Sequence, residues 1–184
     1  MIFTETILKG AFVIEPEPVR DERGMFARTW CQKEVEAQGL DVTWVQNNIS
    51  VSTRKGTLRG MHYQAAPHEE IKLVQCTMGA IYDVIVDLRP PSPTYCQHVG
   101  IVLSAENRRL LYIPTKFAHG YLTLQDHTEV FYHMSEFHTP GLARGFCWDD
   151  SAFHIEWPEA IIAMAEKDRS WPVFAPDRGT FHGR

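Results

Sequence analysis

The most regular pattern in the chain is a two-residue alternation between Ala80 and Leu88. Tyr82, Val84, Val86 and Leu88 fall on one side of an extended backbone, and Ile81, Asp83, Ile85 and Asp87 on the other. The run stops at Arg89-Pro90-Pro91-Ser92-Pro93, because prolines have no N–H to donate to a ladder. Similar patterning, bounded by turn residues, predicts strands at 12–15, 25–30, 43–52, 57–64, 70–77, 98–104, 110–113 and 129–135. Helical signals are few: Gln32 to Gln38, and a second candidate from Glu159 to Glu166 after Pro158. No repeat, low-complexity tract or linker interrupts the pattern. Many closely spaced strands with little helix predict one all-β domain over 1–184, a β-sandwich or jelly roll.

The length is enough to bury a full core without metal or disulfide staples. The net charge of −5 gives no electrostatic case for a nucleic-acid partner, so an anionic ligand would need locally gathered arginines. No apolar run approaches a membrane span, and residues 1–10 lack the basic and apolar regions of a signal peptide. Cys31, Cys76, Cys96 and Cys147 form no CxxC pair and read as thiols of a reducing compartment, so the cytoplasm is expected.

The segment 43–52 alternates in an unusual sense. Trp44, Gln46, Asn48, Ser50 and Ser52 share one face, and Val45, Asn47, Ile49 and Val51 the other. Two readings stand: a solvated outer face, or the polar wall of a sugar pocket. In Gly56-Thr57-Leu58-Arg59-Gly60-Met61-His62-Tyr63-Gln64, Arg59 and His62 are three apart, and a flat strand would send them to opposite faces. Gly60 permits a bulge or twist that turns both inward. Lys72 lies in the apolar stretch 71–74, where snorkelling to the surface is the default. Tyr132 alternates with Val130 and Met134 and reads as a half-buried aromatic; His119 reads equally well as a turn residue.

Cupin metal sites offer a metal reading: two histidines one residue apart, a glutamate, and a later histidine. His62, Glu69 and His119 fill three places, but Gln64 stands where the second histidine belongs, and a carboxamide weakens a transition-metal site. No metal is therefore expected.

Several segments, in order along nearly the whole chain, resemble the dTDP-4-dehydrorhamnose 3,5-epimerase family. They run from Asp21-Glu22-Arg23-Gly24 with Phe26, through Gln46, Asn48 and Ser50, to Leu58-Arg59-Gly60 with His62 and Gln64. Lys72-Leu73-Val74, Asp83-Val84, Val86-Asp87-Leu88-Arg89, Ser92-Pro93-Thr94 and Leu103-Ser104-Ala105-Glu106-Asn107 follow. Ile113-Pro114, Phe117-Ala118-His119-Gly120, Tyr132, Trp148 with Asp150, Ile155 with Trp157-Pro158, and Lys167-Asp168 complete the set.

The resemblance implies a cupin-type double-stranded β-helix, or jelly roll, with short flanking helices. It implies a cofactor-free epimerase of a nucleoside-diphosphate 4-keto-6-deoxyhexose, whose C4 ketone acidifies the hydrogens at C3 and C5. On the family motif His62 would be the base with Asp168 as its dyad partner, and Lys72 would stabilise the enolate oxygen. Tyr132 would deliver a proton to the far face, and Arg23 and Arg59 would clamp the pyrophosphate. His119, Lys167 and the stretch from Gln46 to Asn48 would contact substrate. The family forms homodimers with exchanged N-terminal segments, which leaves open whether Arg23 serves its own pocket or the partner's.

The chain departs from the family pattern at positions that resemble substrate contacts. Arg28 stands where glutamate is common, Phe137 and His138 where two tyrosines are, and Ala143, followed by Arg144, where another glutamate is. The alternatives are therefore a C3- or C5-only epimerase of another nucleotide sugar, a metal-dependent cupin enzyme, and a catalytically silent sugar-binding jelly roll.

Overall fold

A computed structural model describes residues 1–41 and 43–175. In chain order its strands are β1 (Ile2–Glu5), β2 (Phe12–Glu15), β3 (Val19–Asp21), β4 (Gly24–Phe26), β5 (Gln46–Ser52), β6 (Thr57–Gln64) and β7 (Lys72–Met78). Then come β8 (Ala80–Asp87), β9 (His98–Ser104), β10 (Leu110–Ile113), β11 (Phe117–Thr123), β12 (Thr128–Met134), β13 (Ala143–Gly145) and β14 (Ala163–Met164). Two short helices, α1 (Gln32–Glu36) and α2 (Glu166–Arg169), flank them.

The strands form a cupin-type jelly roll of two facing sheets. One runs β1-β2-β10-β7-β12-β5; the other runs β13-β6-β11-β8-β9, with β14 pairing in parallel to β6. The β3–β4 hairpin stands apart. The alternation along β8 explains the layering. Ile81 and Ile85 point between the sheets and pack with Val74, Leu111, Phe117 and Tyr121. Val84 and Val86 point the other way, under a cover of Phe146, Phe153 and Trp157 from the C-terminal segment. The outer face of the first sheet is capped in turn by Trp30, Leu40 and Trp44 over Leu73, Leu110 and Tyr112.

The structure departs from the sequence expectations in specific places. β11 carries no alternation because all seven of its residues are buried, so His119 sits in a central strand and not in a turn. The expected strand 25–30 ends at Phe26. The expected helix 159–166 does not form: the Ile162 and Ala163 amides go to the Gly56 carbonyl, and Ala163–Met164 join β6. Only the last turn, Glu166–Arg169, is helical. On β5 the polar face points inward, while Ile49 and Val51 are exposed on the outer side.

Candidate active site

A bulge places the two central residues of the site. In the β6–β11 ladder His119 pairs with His62, and Tyr121 pairs with Arg59, so Gly120 alone opposes Gly60 and Met61. The extra residue in β6 reverses the facing rule, and Arg59 and His62 both turn toward the space between the sheets. Gly60 has φ +124°, and a Cβ there would lie 2.5 Å from Gly120 Cα. Only glycine permits that approach. Arg59 then donates through Nε to Ser52 Oγ at 3.3 Å and through Nη2 to the Val51 carbonyl at 3.1 Å, against the inner face of β5.

Between the sheets lies a cavity of about 340 Å³. His62, Tyr63 and Gln64 of β6, Lys72 of β7, and Tyr132 and Met134 of β12 form its walls. Gln46 and Asn48 of β5, with Glu70, His138, Ala143 and Lys167, close the rest of it. Gln46 donates to Asn48 Oδ1 at 3.2 Å and accepts the His138 amide at 3.1 Å, tying the rim loop to the wall. This strand therefore turns its polar face to the cavity and not to solvent.

His62 is held neutral. Burial, followed by the charges of Lys72, His119, Lys167 and Arg59, pushes its ring well below the usual imidazole range. Its Nδ1 is buried and has no hydrogen-bond partner among the described residues. Asp168 is buried on α2, where desolvation raises its carboxyl while the Gly60 amide and the Lys167 and Arg59 charges pull it down. The structure thus docks Asp168 against β6 at the Gly60 amide and draws no hydrogen bond from it to His62 Nδ1.

Opposite stand Lys72 and Tyr132. The Lys72 ammonium does not snorkel: its side chain is 9% exposed and paired with the equally buried Glu70 carboxylate. Tyr132 is held protonated, its hydroxyl raised by burial and by the Glu70 charge, with Arg59 opposing.

His119 is fixed by a residue the sequence reading did not single out. Its Nε2 lies 2.9 and 3.0 Å from the two oxygens of Asp83, whose side chain is wholly buried. Burial raises the Asp83 carboxyl, and the His119 and Lys72 charges oppose it. The signal was present as a carboxylate on the same inward face as Ile81 and Ile85. Glu70 was also missed, because nothing in Glu69-Glu70-Ile71 distinguishes which glutamate turns inward.

Other expected site residues lie elsewhere. Arg23 sits in the exposed β3–β4 hairpin, paired with Asp21 at 2.6 Å, and Arg28 pairs with Glu34 at 2.7 Å on the surface. Neither reaches this chain's own cavity. Glu69 faces Lys116 at 3.7 Å, and among the described residues no group of three His, Cys, Asp or Glu side chains could hold a metal. Gln64 is engaged with backbone instead. Its side-chain amide donates to the His68 and Phe137 carbonyls at 2.6 and 2.9 Å and accepts the Thr139 amide at 2.8 Å. These bonds tie two loops at the cavity mouth.

This arrangement suits proton transfer on a carbonyl compound: a neutral imidazole on one wall of the cavity faces a protonated phenol and a cation on the other. Comparison with known proteins agrees. The model of the dTDP-4-dehydrorhamnose 3,5-epimerase family matches residues 5–176. The enzyme of that name from Shigella flexneri is 44% identical over 165 residues, 89% of this chain and 91% of its own. Among solved structures, dTDP-4-dehydrorhamnose 3,5-epimerase from Bacillus anthracis with TDP and pyrophosphate bound is 41% identical with a TM-score of 0.91. The match covers 94% of this chain and 99% of that one. The dTDP-6-deoxy-D-glucose-3,5-epimerase of Legionella pneumophila, in complex with dTDP-4-keto-L-rhamnose, is 34% identical with a TM-score of 0.87, covering 94% and 92%.

Proposed function

Because the chain belongs to the dTDP-4-dehydrorhamnose 3,5-epimerase family, a family of isomerases, we propose that it inverts C3 and C5 of dTDP-4-dehydro-6-deoxyglucose. The product would be dTDP-4-dehydro-L-rhamnose. The observation that carries this reading is that His62, Lys72 and Tyr132 line one cavity. In each half-reaction neutral His62 removes the proton next to the C4 ketone, and the C–H electron pair moves onto the C4 oxygen as an enolate. The Lys72 ammonium stabilises that oxyanion. Tyr132 returns a proton from the opposite face, the electron pair re-forms the C–H bond, and the carbon is inverted; imidazolium His62 then loses its proton to solvent and tyrosinate Tyr132 regains one before the next half-reaction.

Asp168 is assigned the orientation of His62 through the buried Nδ1. Arg59 and Lys167 supply positive charge for the diphosphate, and Gln46, Asn48 and His119 offer hydrogen bonds to the sugar. The ketone provides the acidity, so the scheme calls for no metal or cofactor. The working unit is a homodimer, supported by the exposed hairpin that carries Arg23 away from its own cavity and by Ile49 and Val51 on the outer face of β5. We place the protein in the cytoplasm, as one domain over 1–184, with all four cysteines free.

The test is incubation with dTDP-4-dehydro-6-deoxyglucose in heavy water, read by NMR at C3 and C5. Wild type should exchange and invert both positions. His62→Ala should lose about 10²- to 10⁴-fold of the exchange rate, and Tyr132→Phe should slow net inversion more than exchange. Exchange at C3 alone would mark a monoepimerase, and near wild-type exchange by His62→Ala would overturn the mechanism.

A further inference from the structure

Glu70 is the buried carboxylate for which this reaction has no use. It precedes β7, lines the cavity, and its side chain is 8% exposed. Its Oε1 accepts the ammonium of Lys72, which also lines the cavity. We propose that Glu70 is a positioning residue of the reaction, aiming the Lys72 ammonium at the substrate's C4 oxygen and setting a negative charge beside Tyr132. The proposal rests on the epimerase reading above.

A lysine head on a four-carbon stem has many rotamers, and catalysis at the C4 oxygen uses only the few that point there. Lys72 has a second difficulty. Arg59 and His62 of β6, His119 of β11 and Lys167 of α2 gather basic side chains near it, all of them close enough to bear on His62. Against them stand Asp83 of β8, taken by His119, and Asp168 of α2, buried against β6. Among the described residues, Glu70 is the carboxylate paired with Lys72. It therefore anchors the ammonium in one direction as the site closes around substrate. Its charge also dilutes the positive potential at the C4 oxygen, so anchoring must outweigh dilution. That balance makes the proposal testable.

The sign at Tyr132 is definite. Burial raises the phenol first, the Glu70 charge raises it further, and Arg59 lowers it. Removing the Glu70 charge should lower the phenol's pKa, so that tyrosinate accumulates and proton delivery fails at a lower pH. A group that only held the fold together would move thermal stability and leave this limb in place.

The experiment measures kcat and KM of the full chain against pH for wild type, Glu70→Gln and Glu70→Ala, with dTDP-4-dehydro-6-deoxyglucose. For Glu70→Gln the alkaline limb of kcat should move to lower pH. For Glu70→Ala, kcat at neutral pH should fall about 10-fold or more while KM stays within about two-fold. Should Glu70→Ala fail to fold by circular dichroism, the near-isosteric Glu70→Gln decides alone. A Glu70→Gln profile that superimposes on wild type overturns the proposal. A wild-type protein that neither exchanges nor inverts the sugar overturns instead the epimerase reading, and the two failures cannot be confused.

Discussion

Replacing Gly60 by alanine should break the bulge on which the site depends, and the structure allows the size of the effect to be worked out. The added Cβ would sit 2.5 Å from Gly120 Cα and 2.8 Å from the His119 carbonyl oxygen. Both atoms are backbone of β11, a strand buried along its whole length, so neither can swing aside. Overpacking of this kind costs about 1–3 kcal/mol. The backbone at φ +124° adds about 1–3 kcal/mol for a residue with a side chain. A central sum of about 4 kcal/mol should lower the melting temperature by roughly 8–16 °C for a chain of this size. Activity should fall further than stability, since a shift of about 1 Å in His62 is worth about 100-fold in rate. The assay pairs a thermal melt with deuterium exchange measured well below both transitions. Gly141→Ala is the control: Gly141 also has positive φ, at +85°, but its Cβ would meet nothing within 4 Å. It should lose only about 1–2 kcal/mol. If Gly60→Ala melts with the control and exchanges deuterium within about three-fold of wild type, the close approach of β6 and β11 is not what holds Arg59 and His62 on one face.

The acid limb of kcat/KM should lie below pH 6.5, because burial and the surrounding positive charges keep His62 neutral as pH falls to that point; a limb at or above 6.5 would contradict this environment. Asp87 should lend acid-sensitive stability. Burial alone would raise its carboxyl, but hydrogen bonds from Arg89, Ser92 and Thr94 hold it down at about 2, against 3.8 for a free group. With its side chain wholly buried, that depression is worth about 2 kcal/mol, present above about pH 4 and lost as pH falls through about 2. Urea unfolding across that window should show the loss in wild type and not in Asp87→Asn, and parallel curves for the two proteins would refute it.

What could be read from the sequence followed periodicity. β6 came out with its ends in place because Gly56 precedes it and Ala65-Ala66-Pro67 follows it, and β8 nearly so because its alternating residues leave a record. β11 left none: a strand buried on both sides has no face to mark, and its His119 looked like a turn residue. The bulge was half legible, since Gly60 permitted it, but only pairing with Gly120 made it necessary. The metal alternative hinged on Gln64, whose carboxamide is engaged with loop backbone at the cavity mouth. Asp83 and Glu70 escaped for the same reason as each other. Each is an acidic residue whose meaning is its burial, and burial is decided by strands far away in the chain.

The complete burial of β11 bears on how such a catalyst can change its substrate over time. His119 shares its strand with core residues Phe117, Ala118, Tyr121 and Leu122, so nearly every substitution there is tested for folding before it is tested for chemistry. The mouth of the cavity is under no such constraint. Phe137 is exposed, and His138 and Ala143 sit on the rim loop and the short edge strand β13. Substitutions at the entrance therefore disturb the fold less than substitutions in the buried strand β11. A library meant to redirect specificity belongs at 136–143, with 57–64 and 117–123 left untouched.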